Sequence, residues 1–258
     1  MIRMLGVKKR FGPKVVLDGL DLSVERGETR VVIGLSGVGK SVLLKHIIGL
    51  IRPDAGTIEV GGTRLDWRKK ETLAQVRSMI GMLFQGAALF DSFNVHDNVA
   101  FGLTEQGRLP MAEIDRIVEE KLDLVNLHGV NSLMPAELSG GMKKRVGLAR
   151  ALATSPEVML YDEPTTGLDP INADAINTLI REMQRKLQVT SIIVTHDMTS
   201  AFEVGDRISM LHLGQIIETG TPDEIRNSAN PIVRQFVLGL AEGPITAEPL
   251  EVVEQTEV

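Results

Sequence analysis

At 258 residues, with 43% hydrophobic and 24% charged side chains, the chain has ordinary globular composition and suits one large α/β domain, or one domain with a small appendage. A net charge of −6 gives no sign of a nucleic-acid partner, and the lack of cysteine excludes disulfides and thiolate metal sites, so a reducing compartment is the simple expectation. The N-terminal MIRMLGVKKRFG has no apolar signal core, and no apolar run approaches the roughly 18 residues that span a bilayer, so a chain that is soluble or peripheral to another component is expected.

In chain order, residues 1–26 alternate apolar and polar positions and predict antiparallel strands, with a turn at Arg26-Gly27. TRVVIG is continuously apolar, as in a buried strand, and KSVLLKHIIGL after it carries Leu43, Leu44, Ile47 and Ile48 on one helical face. GTIEVGG and SMIGMLFQ read as strands, residues 111–125 as a helix, and GMKKRVGLARALATS as another that stops before Pro156. EVMLYDE is a strand, residues 171–187 a helix, TSIIVTH a strand, and DRISMLHLGQIIETG a hairpin about Leu213-Gly214. Alternating strands and helices argue for a parallel sheet covered on both faces. The last 18 residues hold five glutamates and no lysine or arginine, and predict a poorly ordered tail.

Between TRVV and the first helix stands GLSGVGKS, residues 34–41, which fits G-x-x-x-x-G-K-[ST] with Gly34, Gly39, Lys40 and Ser41 at the fixed places. Glycines let such a loop wrap an anion with its backbone N–H groups, and the following helix adds its positive end. Lys40 supplies a point charge for the β/γ-phosphates and the Ser41 hydroxyl a ligand for Mg²⁺. The plainer alternative is a strand, a turn and a helix with no ligand. EVMLYDE then ends in Asp162, placed to hold Mg²⁺, and Glu163, placed to polarise a water that attacks the γ-phosphate. Taken alone, two solvated acids at a strand end would read the same way. LSGGM opens the later helix with Ser139, Gly140 and Gly141, either a second anion site or simply a serine N-cap. One ATP does not need two such sites from one chain, whereas two chains arranged head to tail would use both.

Together these motifs resemble the nucleotide-binding subunit of an ABC transporter, over residues 1 to about 240. The resemblance implies an α/β fold of the P-loop NTPase type: a RecA-like core, an antiparallel β subdomain and an α-helical subdomain at about 86–155, with 241–258 as an acidic tail. It implies ATP held by Phe11, which would stack on adenine, and by Gly34, Leu35, Ser36, Gly37, Val38, Gly39, Lys40, Ser41 and Val42. Glu163, His196 and Gln85 become the catalytic residues, with Ser41, Gln85 and Asp162 at Mg²⁺. Ser139, Gly140 and Gly141 would act in trans, and Asp169 in GLDP would contact the other protomer of a homodimer. Phe11 as a core aromatic, and His196 as a satisfied strand-end histidine, remain open at this point.

Two departures, Met142 where glutamine is commoner and KSVLL in place of KSTLL, remove no phosphate ligand. Both are similar to the Mla-type ATPases of phospholipid transport between bacterial membranes, as are residues 82–101 and 233–245. That likeness implies a peripheral subunit on the cytoplasmic face of the inner membrane. It also implies an integral-membrane permease, a small regulatory subunit and a periplasmic lipid-binding protein, and a tail that straps the neighbouring protomer. Three other readings stay open: an importer subunit for an amino acid, metal or other small solute; a soluble non-transport ABC ATPase; and an ATP-binding regulator without turnover. Against the second stand a single cassette and the lack of cysteine and of a long insertion. Against the third stands the presence of both Glu163 and His196.

Overall fold

A computed structural model of the chain describes residues 1–247. Residues 248–258, most of the segment read as a tail or a strap, lie outside the described residues.

The N-terminal alternation produces β1 (Ile2–Phe11) and β2 (Lys14–Val24), an antiparallel pair, joined on the other side of β1 by β4 (Ala55–Val60) and then β5 (Thr63–Arg64). This sheet buries one face: Ile2, Met4 and Val7 of β1 are buried while Arg3 and Leu5 are exposed. GTIEVGG thus forms a strand, but in this antiparallel sheet and not in the main one.

The main sheet has six strands in the order β10-β9-β3-β8-β7-β6. They are β3 (Thr29–Ile33), β6 (Ile80–Leu83), β7 (Val158–Asp162), β8 (Thr190–Thr195), β9 (Arg207–His212) and β10 (Gln215–Gly220). The β9, β3, β8, β7 and β6 ladders are parallel, and β10 pairs antiparallel with β9 through a tight turn at Leu213 and Gly214, both with positive φ. The strands read as continuous apolar runs because both faces are covered. Val31 and Ile33 of β3, Met159 and Tyr161 of β7 and Ile193 of β8 enter one core. Val32, Val158, Leu160, Ile192 and Val194, the alternate residues, enter the other.

The second core lies under the antiparallel sheet and α1 (Lys40–Ile47). The first is filled by α3 (Val95–Gln106), α4 (Met111–Leu124), α5 (Gly140–Ala153), α6 (Pro170–Leu187) and α7 (Met198–Val204). Helix α5 packs against both α3 and α4. Hydrophobic periodicity does not announce α3, yet its ends obey the capping rules: Asn94 accepts from the Asp97 N–H, and Gly107 ends the helix at φ 59°. The short α7 and α8 (Pro222–Arg226) likewise escape the pattern, being too brief to show a period, and α2 (Lys70–Ser78) escapes it because Val76 is its one buried residue.

Beyond residue 240 the chain folds back. Helix α10 (Pro244–Ala247) packs on α9 (Pro231–Leu238), Ile245 is buried, and the Gln235 amide accepts from the Ile245 N–H at 2.8 Å and donates to the Leu240 carbonyl at 3.2 Å. Residues 241–247 therefore depart from the expected loose tail. Burying one isoleucine contributes about 1.5–3 kcal/mol, enough to offset much of the ordering entropy of so short a segment.

Candidate nucleotide site

Residues 34–41 join the C-terminal end of β3 to α1, a place where backbone N–H groups and a helix N-terminus face the same space. Two glycines are required by geometry. A Cβ on Gly34 would be driven into the Leu211 carbonyl, and one on Gly39 would lie 2.8 Å from Val16 Cγ1, at a backbone φ of 111°. Leu35, Ser36 and Gly37 stand open to solvent, Val38, Ser41 and Val42 are half-buried, and Gly34, Gly39 and Lys40 are buried.

The Lys40 ammonium donates to the carbonyls of Gly34 at 2.7 Å and Leu35 at 3.1 Å, and lies 3.7 Å from the Glu163 carboxylate. Burial pushes its pKa below the ordinary lysine value, and the negative charges of Glu163 and Asp162 pull it partly back. Ser41 Oγ donates to Asp162 Oδ1 at 2.8 Å, which brings the two expected metal ligands together from α1 and β7.

Glu163 follows β7 with φ 49°, a left-handed conformation that side chains adopt at a cost of about 1–3 kcal/mol and keep where the surroundings hold it. Its N–H donates to the Val194 carbonyl at 3.0 Å. Its buried carboxylate accepts from Thr166 Oγ1 at 3.2 Å, Thr195 Oγ1 at 3.3 Å and the His196 N–H at 3.4 Å. His196 Nδ1 adds a bond of 2.9 Å, which places the ring proton on Nδ1 and turns Nε2 away from Glu163. His196 is thus satisfied, as the plainer reading had it, yet its side chain is 52% exposed. It is satisfied by the carboxylate at the centre of the site.

The profile of the ABC transporter family matches residues 17–166. The chain belongs to the ABC transporter family. It is 41% identical over 244 residues to the probable ribonucleotide transport ATP-binding protein mkl of Mycobacterium leprae, covering 95% of this chain and 70% of that one. It is 38% identical over 245 residues to the intermembrane phospholipid transport system ATP-binding protein MlaF of Escherichia coli K12, covering 95% and 91%. Among solved structures it is similar to cbiO1 of Clostridium perfringens, part of the ABC transporter complex cbiONQ, with a TM-score of 0.81, 30% identity, and 93% and 95% of the two chains covered. It is also similar to the dimeric ATP-binding cassette MJ0796 in a post-hydrolysis state with ADP and Pi, with a TM-score of 0.79, 29% identity, and 86% and 99% covered. The fold is that of the ABC ATPases, and ATP is the nucleotide of the family.

In this ABC ATPase the remaining expected residues fall in three places. Gln85 sits exposed just after β6, with its carbonyl held by Lys144. Phe11 ends β1 at 47% exposure, with Lys9 Nζ 5.3 Å from the ring centroid, so the core-aromatic reading is set aside. Its hairpin reaches the phosphate loop through Val16, which abuts Gly39. Ser139, Gly140 and Gly141 form no hydrogen bond with residues 34–41 among the described residues. Ser139 accepts from the Met142 N–H at 3.2 Å and caps α5, Gly140 is exposed, and Gly141 faces Asn172 of α6. Asp169 caps α6, accepting from the N–H groups of Ile171 and Asn172 at 3.1 and 3.0 Å and from Asn172 Nδ2 at 2.6 Å. These bonds hold its pKa below the ordinary aspartate value, the Asn172 side chain contributing most.

The Ser41 hydroxyl and the Asp162 carboxylate are hard oxygen donors that suit Mg²⁺. Among the described residues no group of three or more His, Cys, Asp or Glu could hold a metal by itself. That fits an ion that takes most of its ligands from water and phosphate. Sequence reasoning missed Thr166, Thr195 and Lys144. The threonines look like ordinary loop and strand residues, and Lys144 looks like one of several cations on a helix surface. Only the fold shows that they converge on Glu163.

Proposed function

We propose that the chain is the ATP-hydrolysing subunit of a system that moves phospholipid between the inner and outer bacterial membranes, as a homodimer bound to a separate integral-membrane permease. The observation that carries this reading is the likeness to MlaF, which spans nearly the whole of both chains and so extends well beyond the nucleotide motifs. Among the described residues no helix is long and apolar enough to cross a membrane, so the stroke would act on another component, with this subunit at the cytoplasmic face.

Each site would join residues 34–41, Gln85, Asp162, Glu163 and His196 of one chain with Ser139, Gly140 and Gly141 of the other. Exposure of Ser139 and Gly140 at the N-terminus of α5 supports their use by a partner. Lys40 would exchange its carbonyl partners for the β/γ-phosphates. Mg²⁺, held by Ser41 and Asp162 with Gln85, would neutralise phosphate charge. Glu163 would take the proton of the attacking water, with its carboxylate aimed by His196, Thr166 and Thr195. The products are ADP and inorganic phosphate, and the rate arises from positioning and electrostatics. Asp169 would lie at the dimer contact, beside Ile171 at 83% exposure.

The permease would dock near residues 85–98. The Asn98 amide, fully buried, donates to the carbonyls of Phe90, Phe93 and Asn94 and accepts from the Phe90 N–H, holding this segment in shape. Phe90 stays 40% exposed above the clustered rings of Phe93 and Phe101. A small regulatory subunit and a periplasmic lipid-binding protein belong to the same proposal.

The name of the mycobacterial relatives supports a second cargo, a ribonucleotide. Pull-down of the tagged protein from its native membrane in mild detergent, with mass spectrometry of proteins and lipids, separates the two. Recovery of a multi-spanning permease with enriched phospholipid is expected. A permease with a solute-binding protein and no lipid enrichment would move the assignment to a small solute and leave the ATPase untouched.

A further inference from the structure

Two of the cations of helix α5, Lys144 and Arg150, grip carbonyl groups of one turn, residues 85–88, and the mechanism above uses neither. Lys144 is buried at 5% exposure. Its ammonium donates to the Gln85 carbonyl and, at 3.1 Å, to the Glu163 carbonyl. Arg150, further along the helix, donates at 2.7 Å to the carbonyls of both Ala87 and Ala88. Ala87, Ala88 and Glu163 all have positive φ, a conformation that persists where neighbours over-determine it. A buried ammonium is costly, and burial lowers the pKa of Lys144 while Asp162 and Glu163 restore part of it. A core that only needed filling would take methionine here.

The same helix begins at Ser139–Gly141, the part proposed to meet the ATP of the partner. Lys144 lies about one turn in from that end, and its side chain leans back toward it. We propose that Lys144 is a positioning residue that makes α5 a rigid lever between the two sites of the dimer. Its N-terminus is seated by one ATP, and Lys144 sets Gln85 and the backbone of Glu163 at the other. In this role Lys144 acts through Gln85 and Glu163 and not on the nucleotide itself. The inference rests on the reading of Glu163 as the base that takes the water's proton and of Gln85 as its neighbour at Mg²⁺.

The test compares Lys144→Met, Lys144→Arg and Glu163→Gln in the full chain with its permease. Lys144→Met keeps the length and removes the donors. It is expected to bind a fluorescent ATP analogue within about twofold of wild type while kcat falls about tenfold or more, the loss expected for charge-assisted hydrogen bonds. Lys144→Arg retains a cation and is expected to recover most of that loss. Wild-type kcat in Lys144→Met beside an inactive Glu163→Gln overturns the lever alone. Wild-type turnover in Glu163→Gln overturns the site reading on which it rests. A loss of kcat that follows only a lowered Tm, and returns on cooling, shows a structural lysine and also overturns the lever.

If Lys144→Met does not fold, hydrogen exchange on Glu163→Gln decides. When ATP protects the start of α5, the amides of residues 85–88 are expected to gain protection with it. Protection at α5 with unchanged exchange at 85–88 refutes the lever, and ATP that leaves α5 itself unprotected refutes the underlying dimer reading.

Discussion

Replacing Glu163, the proposed general base, by glutamine is expected to remove one function and to leave most of the site standing. The side chain keeps its size and one oxygen, so Thr166, Thr195 and the His196 N–H retain an acceptor, but a carboxamide cannot take the proton of an attacking water. A positioned general base contributes about 10²–10⁴-fold, or roughly 3–5 kcal/mol at 1.36 kcal/mol per tenfold, and kcat is expected to fall by that factor. Binding is expected to be spared, because the proposed phosphate contacts are residues 34–41 and not Glu163. Lys40 loses the 3.7 Å carboxylate that counters its burial, so its pKa moves further down. Nucleotide affinity of the variant is therefore expected to weaken with rising pH earlier than in wild type. Phosphate release measured with a coupled assay, nucleotide binding by fluorescence, and dimer formation by light scattering together check the reasoning. An ATP-bound dimer that accumulates without turnover is the expected result. Hydrolysis within about threefold of wild type would refute the assignment of Glu163 as the base.

Two further perturbations follow from the same geometry. Gly39→Ala puts a Cβ 2.8 Å from Val16 Cγ1 and 3.2 Å from the Val16 carbonyl at φ 111°. A loss of about 1–3 kcal/mol, a Tm drop of roughly 2–12 °C for a domain of this size and weakened ATP binding are expected, and a variant with wild-type Tm and affinity would contradict the strain argument. The Asp169 cap has a depressed pKa, so its stabilisation is present in full above the ordinary aspartate value of about 3.9 and lost as pH falls through the lower folded value. Thermal melts from about pH 6 to about pH 3 should then converge for wild type and Asp169→Ala at the acid end, and a constant gap across that range would show that the charged form of Asp169 does not carry the cap.

The phosphate loop, the acid pair and the strand–helix alternation were legible in the sequence because each is local. GLSGVGKS carries its glycines at the fixed places of one short motif, and β3, β7 and β8 are continuously apolar because both faces are covered. Pairing was not local. GTIEVGG is a strand by pattern, but its place beside β1 depends on the backbone edge of β1 that β2 leaves open, with which it pairs antiparallel. Helix α3 hid because its polar positions, including the buried Asn98, break the period, and Asn98 is polar to hold the turn at residues 90–94. Composition suggested a loose tail from 241, and the apolar Ile245 together with the Gln235 amide pinned its first residues.

The reaction class could be read from residues 34–41 and 162–163, because the chemistry of holding a triphosphate demands particular residues at fixed spacing. Which ordinary residues surround that chemistry depends on how the strands and helices come together. Thr166, Thr195 and Lys144 are far apart along the chain and look like ordinary polar positions, and they become one environment around Glu163 where the ends of β7 and β8 meet the start of α5. A hydrogen bond depends on distance in space, and the parallel sheet, by setting neighbouring strand ends side by side, makes that distance short.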